Sequence, residues 1–125
     1  MPCLEISAPK LDENKKEILA AKLTKVMADT TQLPIEIFGI RFFEYELGET
    51  SNEGKLWDGK NGKPYHHFKL YIGPLKVEIK KKLIAVLTDT YIETIGNQNW
   101  KPVIFIIETP YENIGVEGKP LSERD

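Results

Sequence analysis

The sequence predicts an α/β fold of two tandem βαβ units, forming a four-stranded sheet with two helices on one face. Three observations predict it. The patterns run strand, helix, strand, then a polar connection, then strand, helix, strand again. The two halves match loosely at an offset of about 64–65 residues: Ala8-Pro9 with Gly73-Pro74, residues 15–20 with 80–85, and Phe42-Phe43-Glu44 with Ile106-Ile107-Glu108. Finally, residues 103–107 are apolar without alternation, the pattern of a strand covered on both faces.

Each element has its own warrant. Residues 2–8 alternate apolar and polar, as a half-buried strand does. Asp12 is placed to cap a helix over residues 13–30, whose stripe is Ile18, Leu19, Leu23, Val26 and Met27; Leu33-Pro34 stops it. Residues 37–46 form the second strand and contain Ile40-Arg41-Phe42-Phe43. Asp58-Gly59 and Asn61-Gly62 in the polar connection are hairpin-type turn signals. Residues 66–72 form the third strand. Gly73-Pro74 leads into a second helix over residues 77–95, with Ile79, Leu83, Val86, Leu87 and Tyr91 as its stripe and Gly96 as its C-cap. Residues 101–108 are the fourth strand. One domain of 1–125 follows: repeat 1 at about 2–46, connection 47–63, repeat 2 at about 64–108, and a C-terminal hairpin and tail at 109–125. Each βαβ crossover should be right-handed with parallel strands.

Composition narrows the function. The chain has 125 residues, 41% hydrophobic and 29% charged, which suits one globular domain. A net charge of −2 gives no electrostatic case for nucleic acid. No run is long enough to span a bilayer, and the first residues lack the apolar segment of a signal peptide. Cys3 is the single cysteine, so no internal disulfide forms, and a cytoplasmic location is the default expectation. Two helices leave the second sheet face bare and nothing else in the chain is large enough to cover it. Other subunits in closed cyclic symmetry are the expected cover.

The candidate chemistry begins at Pro2. Once Met1 is removed, Pro2 carries a free secondary amine at a strand end, and an α-amino group titrates at roughly 7.7–8. It can act as a general base without an acidic or histidine partner. Only the first repeat supplies it, because Pro2 corresponds to His66 or His67 in the second. The only arginines are Arg41 and Arg124. Arg124 belongs to the polar tail, so Arg41 is the one guanidinium of the folded body, suited to grip a carboxylate; the alternative is a pair with Glu44, Glu46 or another carboxylate. Arg41 corresponds roughly to Phe105 in the second repeat. His66 and His67 are adjacent on a strand and point to opposite faces, so they do not ligate one metal ion, and no metal site is expected. Either histidine serves as an acid near the pocket or as a structural residue. Lys76, Lys80, Lys81 and Lys82 read as a solvated helix face. Trp57 and Trp100 suit subunit contacts. Glu112 and Glu117 in the last hairpin are candidates for activating water, a role that would call for paired arginines.

Met1-Pro2, the helix entry Asp12-Glu13-Asn14-Lys15, Gly39-Ile40-Arg41, the run from His67 to Gly73 and the ending from Glu108 to Gly115 together resemble the tautomerase superfamily. Within it, 4-oxalocrotonate tautomerase looks like one βαβ half of this chain, and 5-carboxymethyl-2-hydroxymuconate isomerase looks like a fused pair of about this length. The resemblance implies a tautomerase (MIF-like) fold and a homotrimer. It implies a small carboxylate-bearing substrate and keto–enol isomerisation with no metal or organic cofactor. It implies Pro2 as the base and Arg41 as the group that binds the substrate carboxylate or polarises its carbonyl. It places Lys10 at the basic position before the first helix, in a shortened loop. Ile114 falls in the hairpin wall, where the small tautomerase has an aromatic. Two functions follow as expectations: a tautomerase acting on a small 2-keto or enol acid, or a non-catalytic trimer of this fold with a binding, scaffold or signalling role.

Overall fold

The computed structural model describes residues 1–123, and Arg124 lies outside the described residues. Strand β1 (Cys3–Pro9) leads through helix α1 (Glu13–Thr31) to β2 (Gly39–Tyr45). A short hairpin of β3 (Ser51–Asn52) and β4 (Lys55–Leu56) follows. Strand β5 (His67–Ile72), helix α2 (Val77–Ile95) and β6 (Val103–Glu108) repeat the unit. A second hairpin of β7 (Gly115–Val116) and β8 (Lys119–Pro120) repeats the first.

The sheet order is β2-β1-β5-β6. β1 pairs parallel to β2 and β5 parallel to β6, while β1 and β5 meet antiparallel at the centre. The two repeats coincide at an offset of 64. Cys3 pairs with Gly39 as His67 pairs with Val103, and the helices begin at Glu13 and Val77. Residues 15–20 therefore match 79–84, one position from the sequence alignment, and the buried helix residues Leu19, Leu23 and Met27 match Leu83, Leu87 and Tyr91.

Local chemistry sets the helix ends. The Asp12 side chain accepts the Lys15 N–H at 2.8 Å, closing the first turn of α1. Gly96 caps α2 with φ 80°, a left-handed conformation that costs glycine nothing, and its N–H reaches the Ile92 carbonyl. Gln32 holds the same position after α1 with φ 62°.

Alternation divides the sheet. Leu4, Ile6, Ala8, Phe68, Leu70 and Ile72 face the helices and are buried against Leu19, Leu23, Leu83, Leu87 and Tyr91. Ile18, placed on the α1 stripe by spacing, is instead exposed. The opposite face carries Phe43, Val103, Phe105 and Ile107, all exposed in the single chain. Thus β6 is covered on one side only, and its continuous apolar run leaves Phe105 half in water.

The polar connection folds differently from its turn signals. Its hairpin turns at Glu53 (φ 55°) and Gly54 (φ 77°), not at Asp58-Gly59 or Asn61-Gly62. Asp58 Oδ1 instead accepts the N–H groups of Lys60 and Asn61, making a compact side-chain turn. The last hairpin uses the same device at Glu117 (φ 53°) and Gly118 (φ 83°), again 64 residues on. No helix among the described residues is long and apolar enough to cross a membrane.

Candidate active site

Pro2 lies just ahead of β1, and its carbonyl accepts the Gly39 N–H at 3.0 Å. It continues the even-numbered parity of the strand, so it is buried on the helix side of the sheet. It borders a cavity of about 360 Å3. Three segments wall this cavity: the end of α1 through Thr31 and Leu33, the β5–α2 turn through Gly73 and Leu75, and the C-terminal segment through Tyr111 and Ile114. Because β1 and β5 are antiparallel neighbours, the second repeat delivers its strand end beside the start of the first.

The lining is apolar or uncharged; among the described residues no Asp, Glu, Lys, Arg or His side chain borders the cavity. An amine in such surroundings loses hydration, which disfavours its charged form and lowers its pKa. Thr31 does not offer a free hydroxyl proton, since its Oγ1 donates to the Met27 carbonyl at 2.7 Å. Tyr111 rests on the backbone at Gly73. A Cβ there would lie 2.5 Å from the Tyr111 Cε1, so only glycine lets the ring close the cavity this way. Cys3 is the nearest thiol in sequence but follows the opposite parity. Burial, reinforced by Glu5, pushes its thiol up against the pull of Arg41, so it is a poor nucleophile.

The structure brings together Pro2 and Ile114 and separates both from Arg41 and Lys10. Arg41 pairs with Glu5 across β1 and β2, on the odd-numbered face. There its Nη1 lies 3.9 Å from Glu5 Oε2, and its guanidinium stacks over the Phe43 ring at 4.9 Å. Its partner is Glu5, not Glu44 or Glu46, and it lies on the face of the sheet opposite Pro2. Lys10 is exposed just beyond the far end of β1, roughly 26 Å from Pro2 at 3.3 Å per residue. Within one chain, then, no cationic side chain among the described residues borders the cavity of that chain's Pro2.

Other candidates also find their places. Glu44 accepts the Leu11 N–H at 2.6 Å and Lys16 Nζ at 2.9 Å. Glu112 is exposed and does not border the Pro2 cavity, while Glu117 lines the neighbouring one, on the other side of Tyr111. His66 is buried and His67 half-buried, on opposite faces of β5. Trp57 packs edge-on against Tyr45. Sequence reasoning missed Tyr111. Its signal was present in the ending from Glu108 to Gly115, but the contact that positions it, across to Gly73, spans two elements.

Residues 64–124 match the family model described as tautomerase enzyme. No curated protein matches the sequence. Among solved structures, a native fused 4-OT is similar over 98% of both chains, with 21% identity and a TM-score of 0.89. A wild-type fused 4-OT that forms an asymmetric trimer is similar over 96% of both chains, with 22% identity and a TM-score of 0.85. Pt0534, inactivated by 2-oxo-3-pentynoate, is similar over 96% of both chains, with 22% identity and a TM-score of 0.84.

Proposed function

We propose that the chain, whose residues 64–124 match the tautomerase enzyme model and whose fold is that of the fused 4-OT proteins, is a member of the tautomerase superfamily and interconverts keto and enol forms of a small 2-keto or enol acid, with the Pro2 amine as general base. The observation that carries this is the burial of Pro2 beside an uncharged cavity of about 360 Å3. The neutral amine takes a proton from the carbon next to the substrate carbonyl. The electron pair of that C–H bond moves into an enol or enolate. The prolyl ammonium then returns the proton to another position, so base and substrate finish with the protons they began with.

The developing negative charge needs a cationic partner, and no charged side chain among the described residues of the single chain borders this cavity. Arg41 fills that role from a neighbouring protomer. It is exposed on the bare sheet face, where Phe43 and Phe105 are also available to an interface. The fused 4-OT relatives form trimers, which supports the same assembly here. A guanidinium held at an enolate contributes electrostatic stabilisation of the transition state. Ile114 and Tyr111 hold the apolar part of the substrate. Lys10, at the opposite end of β1, serves the substrate only from another subunit.

The proposal requires that Met1 be removed, because with Met1 attached the Pro2 nitrogen is an amide. Intact-mass measurement of the natively produced protein, followed by phenylpyruvate tautomerisation with wild type and Pro2→Ala, tests it. A mass lacking methionine and a loss of about 10²-fold or more in the variant support the base. A retained methionine or an unchanged rate sinks it. A second reading, a non-catalytic trimer of this fold, is favoured by the lack of any charged side chain around the cavity among the described residues. It requires that the assembled wild type show no tautomerase activity.

A further inference from the structure

We propose that the second repeat carries its own binding site for a small planar organic anion, centred on His66 at the position Pro2 holds in the first. The offset of 64 that superimposes every strand and helix of the repeats sets Pro2 against His66. Both stand just ahead of their strands with side chains on the helix side, and both border a cavity. The one beside His66 measures about 490 Å3.

The fold is shared, but the chemistry of the lining is reversed. Where the Pro2 cavity has Leu33 and Ile37, this one has Asn97 and Lys101. Lys63 adds a second ammonium, and no carboxylate side chain among the described residues borders the cavity. Asn52 and Asn99 add amides able to hydrogen-bond a ligand. Two cations, several amides and no acid select an anion. Tyr65 and Trp100 offer flat aromatic walls, which select a planar body.

His66 gives a reason to expect a ligand and not merely a wet cleft. It is 4% exposed, with Nδ1 2.8 Å from the Tyr91 hydroxyl and the Trp100 ring tilted over it at a centroid distance of 4.4 Å. Its Nε2 is shielded from solvent and has no hydrogen-bond partner. Burial keeps this imidazole neutral, with a pKa of about 4, so Nε2 is a neutral hydrogen-bonding group. Burial also raises the Tyr91 phenol, which stays protonated. We assign its hydroxyl as the donor to Nδ1, an assignment that puts the ring proton on Nε2, a donor for a carboxylate oxygen. Unpaired buried donors are rare in native proteins, and a ligand that displaces the Trp100 edge would pair this one.

The test uses the intact oligomer, with benzoate as the probe and benzamide as its neutral counterpart. The indole N–H signals of Trp57 and Trp100 are followed by ¹H–¹⁵N NMR. Benzoate is expected to shift the Trp100 signal saturably and leave that of Trp57 in place. Lys63→Gln/Lys101→Gln should weaken this binding at least tenfold, and Pro2→Ala should leave it unchanged. The proposal is overturned if Trp100 does not respond, or if benzamide binds as well as benzoate. Shifts confined to Tyr111 and Ile114, or an affinity unchanged in the double lysine variant, also overturn it. So does a structure of the assembly with a neighbour's side chain filling the cavity.

Discussion

The Glu44 carboxylate takes the Lys16 ammonium at 2.9 Å, and 64 residues later Glu108 takes Lys80 at 2.6 Å. In each repeat the same glutamate also accepts a backbone N–H from the loop entering the helix, Leu11 in the first and Leu75 in the second. One carboxylate at the end of the outer strand thus ties strand, loop and helix into one unit.

These ties make stability acid-sensitive. For Glu44, desolvation raises the pKa, but the Leu11 N–H and Lys16 outweigh it and hold the carboxyl below its usual range. For Glu108, Lys80 and the Leu75 N–H act in the same direction. A carboxylate with a lowered folded-state pKa stabilises the fold above its unfolded pKa of roughly 4.3 and loses that contribution as pH falls through the folded value. Glu44→Gln is expected to cost about 1 kcal/mol at pH 7 and to flatten the decline below pH 4. Urea unfolding of both proteins from pH 3 to 7 checks it; parallel curves would show that the carboxylate is not the responsible group.

His66 predicts a separate transition at higher pH. Desolvation lowers its folded pKa to about 4, below the ordinary 6.5. The unfolded chain therefore binds a proton between those values that the folded chain refuses. Stability from His66 is full above pH 6.5 and falls as pH drops toward 4, by on the order of 3 kcal/mol. Below 4 this group adds no further slope. A ¹H NMR titration should give an apparent pKa near 4 for the His66 ring, and His66→Phe should remove the slope between pH 6.5 and 4. A ring that titrates near 6.5 would show that the imidazole is hydrated.

Local signals in the sequence were enough to place the helices and the four main strands. Val77–Ile95 was bracketed by Gly73-Pro74 and Gly96, residues whose backbone preferences act without any tertiary partner. The β3–β4 hairpin was missed because its turn uses Glu53 at positive φ, which carries no composition signal, while Asp58-Gly59 carried a strong one. The family-like ending pointed to Ile114, which borders the Pro2 cavity. The face occupied by Arg41 did not. It depends on the register that pairs Cys3 with Gly39, and a shift of one residue would have moved Arg41 to the Pro2 side.

Gly73 fixes the shape of the Pro2 cavity through Tyr111. A methyl group at residue 73 would need to displace the Tyr111 ring, whose half-exposed position lets it swing outward at little cost. Gly73→Ala is therefore expected to keep stability within about 1 kcal/mol of wild type. With the ring displaced, the KM for phenylpyruvate should rise several-fold while kcat changes less. Tyr111→Phe, which keeps the ring and loses only the hydroxyl, should behave as wild type in KM. A matching rise in Tyr111→Phe would assign the effect to the hydroxyl and not to the wall.

Pro2 and Arg41 lie on opposite faces of one sheet, so a site using both must draw them from different protomers. That arrangement makes a prediction about mixed oligomers. Pro2→Ala and Arg41→Gln should each be nearly inactive alone. Mixed by co-expression, the Arg41→Gln chains supply an intact Pro2, and Pro2→Ala neighbours supply an intact Arg41. Random mixing into a closed ring restores both groups at roughly a quarter of the sites. Steady-state rates of the purified mixed oligomer should rise to a comparable fraction of the wild-type value. Two residues that served the same chain's cavity would never be reunited by mixing, and the mixture would stay as inactive as its components.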